Sequence, residues 1–209
     1  MSMKPEASDR RVRVYYGGKL VADTRRPMLV WENPHYPAYY LPRADVKLDL
    51  IPPHHVLASS LADLVRLEWN AMDAWFEEEE QIYGHPHDPH KRIDIARSSR
   101  HVEVHCRGVK LADSHQPTLL WETGLPTRYY LPKTDARMDL LAPIDKRTTC
   151  AYKGFASYWT YEGEEAAWSY QTPLAECMKI GALVAFYNEW LDIDVDGVRL
   201  PRPATEFSK

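Results

Sequence analysis

The chain has 209 residues, 44% hydrophobic and 27% charged, with a formal net charge of −4, an ordinary globular composition. The acidic balance and the lack of a long Lys/Arg run exclude the concentrated basic face that phosphate contacts need, so no nucleic-acid partner is expected. No apolar stretch approaches the ~18–20 residues of a membrane span, so no membrane partner is expected either. The opening Met1-Ser2-Met3-Lys4-Pro5-Glu6 lacks the apolar core of a signal peptide. Three cysteines, Cys106, Cys150 and Cys177, form no paired pattern and no CxxC, which predicts reduced thiols in a cytoplasm and no metal site built on cysteine.

Sixteen prolines and nine glycines cut the sequence into short segments. β-Branched and aromatic residues dominate between the breaks, the pattern of an all-β chain. Val12-Arg13-Val14-Tyr15-Tyr16 alternates, turns at Gly17-Gly18 and resumes at Leu20-Val21-Ala22, a hairpin whose glycines supply positive φ. Met28-Leu29-Val30-Trp31 and Ala38-Tyr39-Tyr40-Leu41 read as the next strands, bounded by Pro27 and Pro42. Residues 61–76 carry two conflicting signals. Leu61, Leu64, Val65, Trp69, Met72, Trp75 and Phe76 fall near a 3.6-residue period, which argues for a helix; an internal repeat argues for strands, and the repeat is given the greater weight.

That repeat joins residues 12–50 to residues 102–140 at an offset of ninety without a gap, with sixteen of thirty-nine positions identical. It predicts two tandem domains, 1–98 and 99–209. The same offset, carried onward, pairs Trp69 with Trp159 and sets Cys150-Ala151-Tyr152-Lys153-Gly154 against Ser60-Leu61-Ala62-Asp63-Leu64. A three-residue insertion then pairs Trp75 with Trp168. Residues 174–179 are the one segment of the second copy expected to be helical. Residues 183–187 and 190–195 close it as strands, with a turn at Asp196-Gly197.

The run Val21-Ala22-Asp23-Thr24, Trp31-Glu32, Tyr39-Tyr40-Leu41-Pro42 and its echo resemble the domain of unknown function 427 family. So do Cys150-Ala151-Tyr152-Lys153-Gly154, Ser157-Tyr158-Trp159, Ala167-Trp168-Ser169-Tyr170 and Val184-Ala185-Phe186-Tyr187. The likeness covers about residues 10–200 and resembles a tandem member, with Ala74-Trp75-Phe76-Glu77-Glu78 and Tyr83-Gly84-His85-Pro86 as the modified tail of the first domain. It implies a mostly β fold with little helix, each copy β-tent-like (Mss4-like). It also implies a family without an established activity, to which a nucleotidyltransferase label has been attached. The residues add nothing to that label: no glycine-serine loop precedes an Asp-x-Asp pair.

Residues that packing demands should recur in both copies, and residues that chemistry demands can survive in one. Trp31/Trp121, Tyr39/Tyr129, Trp69/Trp159 and Trp75/Trp168 recur, so core filling is their simplest role. Cys150 and Lys153 belong to the second copy alone, and an ammonium three residues from a thiol can raise its reactivity. They are the candidate catalytic pair. Glu122, Tyr130, Tyr158, Trp159, Trp168 and Tyr170 join Lys153 as candidate ligand-binding residues, an aromatic wall suited to a flat or cationic small molecule. Three histidines, His85, His87 and His90, are expected on a surface loop, Asp45/Asp49 and Asp135/Asp139 at turns, and residues 77–80 on a solvated face or charged edge. The expectation is therefore a small-molecule-binding tandem β module with its pocket in the second domain. The alternatives are an enzyme using Cys150 with Lys153, with Glu122 or a tyrosine carrying the proton, or the nucleotidyltransferase of the family label. No cofactor is named by the sequence.

Overall fold

The computed structural model describes residues 5–59 and 61–208. Among them, no helix is long and apolar enough to cross a membrane. The chain is mostly β and divides into two compact units, Met1–Asp88 and Pro89–Lys209. The division falls ahead of the repeat-derived boundary at 98 because residues 93–97 pair with a strand of the second unit.

The first unit contains β1 (Glu6–Ala7), β2 (Val12–Tyr16), β3 (Lys19–Thr24), β4 (Met28–Asn33), β5 (Tyr36–Pro42), β6 (Val56–Leu57), β7 (Leu64–Leu67), β8 (Ala74–Glu77) and β9 (Glu80–Ile82). They form two antiparallel sheets, ordered β1-β4-β5-β7-β6 and β3-β2-β8-β9. Strand period 2 aims alternate residues at one face. Val12 and Val14 of β2, Val21 of β3, Leu29 of β4, Leu41 of β5 and Trp75 of β8 thus fill one core. Trp69 stacks on Trp75 with ring centroids 4.6 Å apart.

The second unit contains β10 (Ile93–Arg97), β11 (Val102–Cys106), β12 (Val109–Ser114), β13 (Thr118–Glu122), β14 (Arg128–Leu131), β15 (Ala142–Cys150), β16 (Gly154–Tyr161), β17 (Glu164–Tyr170), β18 (Val184–Phe186), β19 (Asp192–Val195) and β20 (Val198–Arg199). Its sheets are ordered β10-β13-β14-β18-β17-β16-β15 and β12-β11-β19-β20. The central strands of the seven-stranded sheet are buried on both faces. One face meets the smaller sheet through Val104, Leu131, Ala167 and Ile193. The other collects Leu120, Tyr130, Tyr158, Trp168, Tyr170 and Ala185 with Cys177 and Ile180, the last two from a 3-10 helix, Ala175–Ile180.

Both units share the repeated half. Thr24 donates to Asp45 at 2.7 Å and Ser114 to Asp135 at 2.7 Å, and Ala22 bridges Val46 as Ala112 bridges Ala136. The aspartates Asp45 and Asp135 therefore hold turns. Beyond Leu140 the offset of ninety fails. β7 pairs with β5 through Val65↔Leu41, and β18 with β14 through Val184↔Leu131, so Val65 answers to Val184. β8 pairs Trp75 with Val14, and β19 pairs Ile193 with Val104, so Trp75 answers to Ile193. The turn residues Glu78 and Asp196 confirm this shift: both have positive φ, and both accept the amide proton of the residue before β2 or β11.

Three expectations are corrected by this register. Residues 64–67 are a strand rather than a helix turn, as the repeat argued, but their counterparts are residues 183–186. The tryptophan pairs Trp69/Trp159 and Trp75/Trp168 are not equivalents. Cys150-Ala151-Tyr152-Lys153-Gly154 has no counterpart in residues 61–64 either, and Ser60, set against Cys150 by the offset, lies outside the described residues. The difference between the units is not three residues but the whole β15–β16 hairpin and the 3-10 helix: β6 answers to β17, since each lies beside β7 or β18. Two further readings change. Trp121 is 42% exposed rather than core. Glu77 is 4% exposed rather than solvated; it accepts from Tyr39 Oη at 2.8 Å and from the His87 amide at 3.0 Å, and pairs with His87 Nδ1 at 2.8 Å and with Arg10. His87 of the three-histidine segment is thereby tied to the unit through its amide and its ring nitrogen.

Candidate functional site

Lys153 occupies the tight turn between β15 and β16, a turn closed by Gly154 at φ +87°, a region that disfavours any side chain with a Cβ. Although it is a lysine in a turn, it is only 6% exposed. Its Nζ lies 2.5 Å from Glu122 Oε2 at the end of β13 and 3.7 Å from Cys150 Sγ at the end of β15. Burial alone would lower the ammonium's pKa, but the nearby Cys150, Glu122 and Tyr130 outweigh it and hold Lys153 above its ordinary range. Lys153 therefore stays charged, and the Glu122 carboxylate is its ion-pair partner.

Under this pair lies the outer aromatic layer. Trp168 Nε1 donates to Tyr130 Oη at 3.2 Å, with the rings edge-on. Burial raises the phenol pKa of Tyr130, Tyr158 and Tyr170, so these groups are neutral hydrogen-bonding partners. Tyr158 Oη meets Thr148 Oγ1 at 2.6 Å. Cys177, a fully buried residue of the 3-10 helix, has its thiol pushed up to about 11 by burial.

Of the residues singled out from sequence, the structure brings together Cys150, Lys153, Glu122, Tyr130, Tyr158, Trp168 and Tyr170. Trp159 lies on the opposite face, packed against the inner core with Lys133 4.9 Å above its ring, as alternation along β16 requires. Other contributors were missed. Arg128 is 5% exposed; it makes a forked pair with Glu189 at 2.7 and 2.6 Å, donates to Asn188 and stands 5.4 Å from the Trp168 ring. Glu165 accepts from Tyr187 Oη at 2.6 Å and from Lys146 at 2.7 Å. One signal could have found Arg128: the first copy has Ala38 in its place, the same one-copy criterion that selected Cys150.

The first unit keeps the carboxylate and the phenol of this arrangement and changes the cation. Glu32 accepts from Tyr40 and pairs with Arg66 of β7 at 2.8 Å, and burial together with Glu32 pushes the Tyr40 phenol up to about 12. Glu32 and Arg66 border a shallow cleft of about 350 Å³ with Asn33, Pro34, Tyr36, Pro37 and Ala38.

A search of curated proteins returned no match. A family model, described as Domain of unknown function (DUF427), matches residues 4–59 and 94–197. The first stretch ends where the first unit lacks the hairpin, and the second runs through β15, β16 and β17 without interruption. On this match the chain belongs to the domain of unknown function 427 family.

Proposed function

We propose that the second unit is a small-molecule-binding module whose mouth is the β15–β16 turn. The observation that carries this reading is the charge of Lys153, buried against Glu122 at 2.5 Å. A buried ion pair contributes little net stability compared with well-packed apolar side chains, and buried, coupled ionisable groups cluster at functional sites. The ammonium and carboxylate would meet the polar end of a ligand, and Tyr130, Trp168 and Tyr170 would receive a flat body by stacking. Those rings are closed over in the present structure, so ligand entry would displace the turn. The test is native mass spectrometry of freshly purified chain, followed by thermal-shift screening with wild type, Lys153→Arg and Trp168→Phe. A ligand should be retained or found, and both variants should weaken it. A ligand bound equally by all three proteins would end the proposal.

A second reading is favoured by the 3.7 Å approach of Lys153 Nζ to Cys150 Sγ. An ammonium beside a thiol is the arrangement of nucleophilic and redox cysteines. Cys150 would then attack an electrophilic substrate, with Glu122 or Tyr130 as proton carrier. Mass mapping after brief iodoacetamide treatment at neutral pH separates the readings, because a catalytic thiol is modified rapidly and a lining thiol slowly.

A further inference from the structure

The outward face of the β11–β12 hairpin carries a second polar cluster, on the smaller sheet and away from Lys153. His101 immediately precedes β11 and His115 immediately follows β12. The register Val102↔Ser114 and Glu103↔Asp113, continued by one residue, sets His101 opposite His115. Asp113 and His115 are two residues apart and share that face. The rings of His101 and His115 stack at 4.0 Å with 12° between their planes. His101 Nε2 lies 2.7 Å from Asp113 Oδ1, and one ligand atom from each of the three residues falls within 4.8 Å of the others.

The internal repeat shows what this face is when it is only an ion pair. The equivalents in the first unit are Arg11, Asp23 and Arg25. Arg11 grips Asp23 through two bonds of 2.8 and 2.6 Å, and Arg25 adds its charge to lower the Asp23 carboxyl pKa. In the second unit the aspartate is kept while both arginines, which cannot ligate a metal, become histidines, which can. We propose that His101, Asp113 and His115 bind a first-row divalent transition-metal ion of the zinc class. Two imidazoles and one carboxylate suit that class, and a solvent molecule completes the tetrahedron. Ligands of such a tetrahedron stand roughly 3.3 Å apart, from metal–ligand bonds of about 2.0–2.1 Å. The His101–Asp113 contact of 2.7 Å needs to open by about 0.6 Å to reach that spacing, and the His115 side chain is exposed. Lys110 donates to the other oxygen, Asp113 Oδ2, at 2.7 Å and also pairs with Glu103. That bond orients the carboxylate while Oδ1 takes the ion.

The experiment uses the full chain without a histidine tag. Zinc binding is measured by calorimetry, and cobalt(II) serves as the spectroscopic probe. One zinc ion per chain should bind at this site. His101→Ala and His115→Ala should each weaken it at least tenfold, and cobalt(II) should show the visible bands of a nitrogen- and oxygen-ligated tetrahedron. His101→Arg/His115→Arg restores the pattern of the first unit, so it should fold normally by circular dichroism and lose the ion. No zinc uptake by wild type, or uptake unchanged in the folded double-arginine variant, would overturn the proposal.

Discussion

Glu32 and Glu122 are one residue of the repeat, next to last in β4 and last in β13, yet each is neutralised from a different element. Arg66 of β7 reaches Glu32 at 2.8 Å, and Lys153 of the β15–β16 turn reaches Glu122 at 2.5 Å. The carboxylate came with the fold, and each unit has found its own cation. In the first unit the cation belongs to the sheet itself. In the second it belongs to a hairpin that the first unit lacks.

Lys153→Met should leave Glu122 buried and unpaired. Removing one partner of a buried pair costs about 3–5 kcal/mol, and the loss should appear as a lowered denaturation midpoint for the second unit. Glu122→Gln combined with Lys153→Met should regain most of it. A double variant no more stable than Lys153→Met would show that the pair does not act as a unit.

Gly154→Ala tests the turn directly. At φ +87° a Cβ would meet Leu174 at an ordinary 3.6 Å, so the penalty is backbone strain rather than collision. A loss of roughly 1–2 kcal/mol is expected, together with weaker binding of any ligand at the mouth. Unchanged stability in urea would contradict the strained geometry.

Glu77 predicts an acid limit for the first unit. Burial acts to raise its carboxyl pKa, but the hydrogen bond and charge of His87, and then Arg10, override burial and lower it from 4.5 to about 2. A carboxyl depressed by folding stabilises above its unfolded pKa, and the contribution is lost as pH falls through the folded value. The window therefore runs from about pH 4.5 down to about pH 2, and the shift corresponds to at most about 3 kcal/mol. Melting curves across that range should fall steeply for wild type and flatten for Glu77→Gln; parallel curves would refute the assignment.

The three thiols should separate by access. Cys106 and Cys177 are buried with thiol pKa values raised by burial, whereas Cys150 is half-buried. Native alkylation should therefore label Cys150 first, and Lys153→Met should slow that labelling several-fold if the ammonium activates the thiol. Equal labelling of all three sites would contradict the burial described.

The shared half of the fold was legible because identity is dense there: Val12, Val14, Ala22 and Leu41 recur at the same spacing and face the same core. After Leu140 the trail is thinner. Leu64-Val65 and Leu183-Val184 are the true equivalents, but two common residues are a weak signal beside a tryptophan, and Trp69 and Trp75 attracted the alignment to Trp159 and Trp168. The site was legible as a set of residue types and not as an arrangement. Nothing in the local sequence around Lys153 specifies a partner 31 positions earlier. Glu77 reads as one of four consecutive glutamates, yet it alone of them is buried, because alternation along β8 sets it on the inward face with Trp75, where Tyr39 meets it. The histidine pair at 101 and 115 was hidden for the same reason, since only the strand register sets them face to face.

The contact between Lys153 and Glu122 also constrains the shape of its own sheet. β13 and β16 are separated by β14, β18 and β17, and four strand spacings on a flat sheet would hold them at least about 19 Å apart. Two side chains that touch across that span require a wall rolled over its own aromatic lining, with the salt link as a clasp across the roll. The curvature of a seven-stranded wall and the pairing of two buried charges are therefore met by one and the same contact.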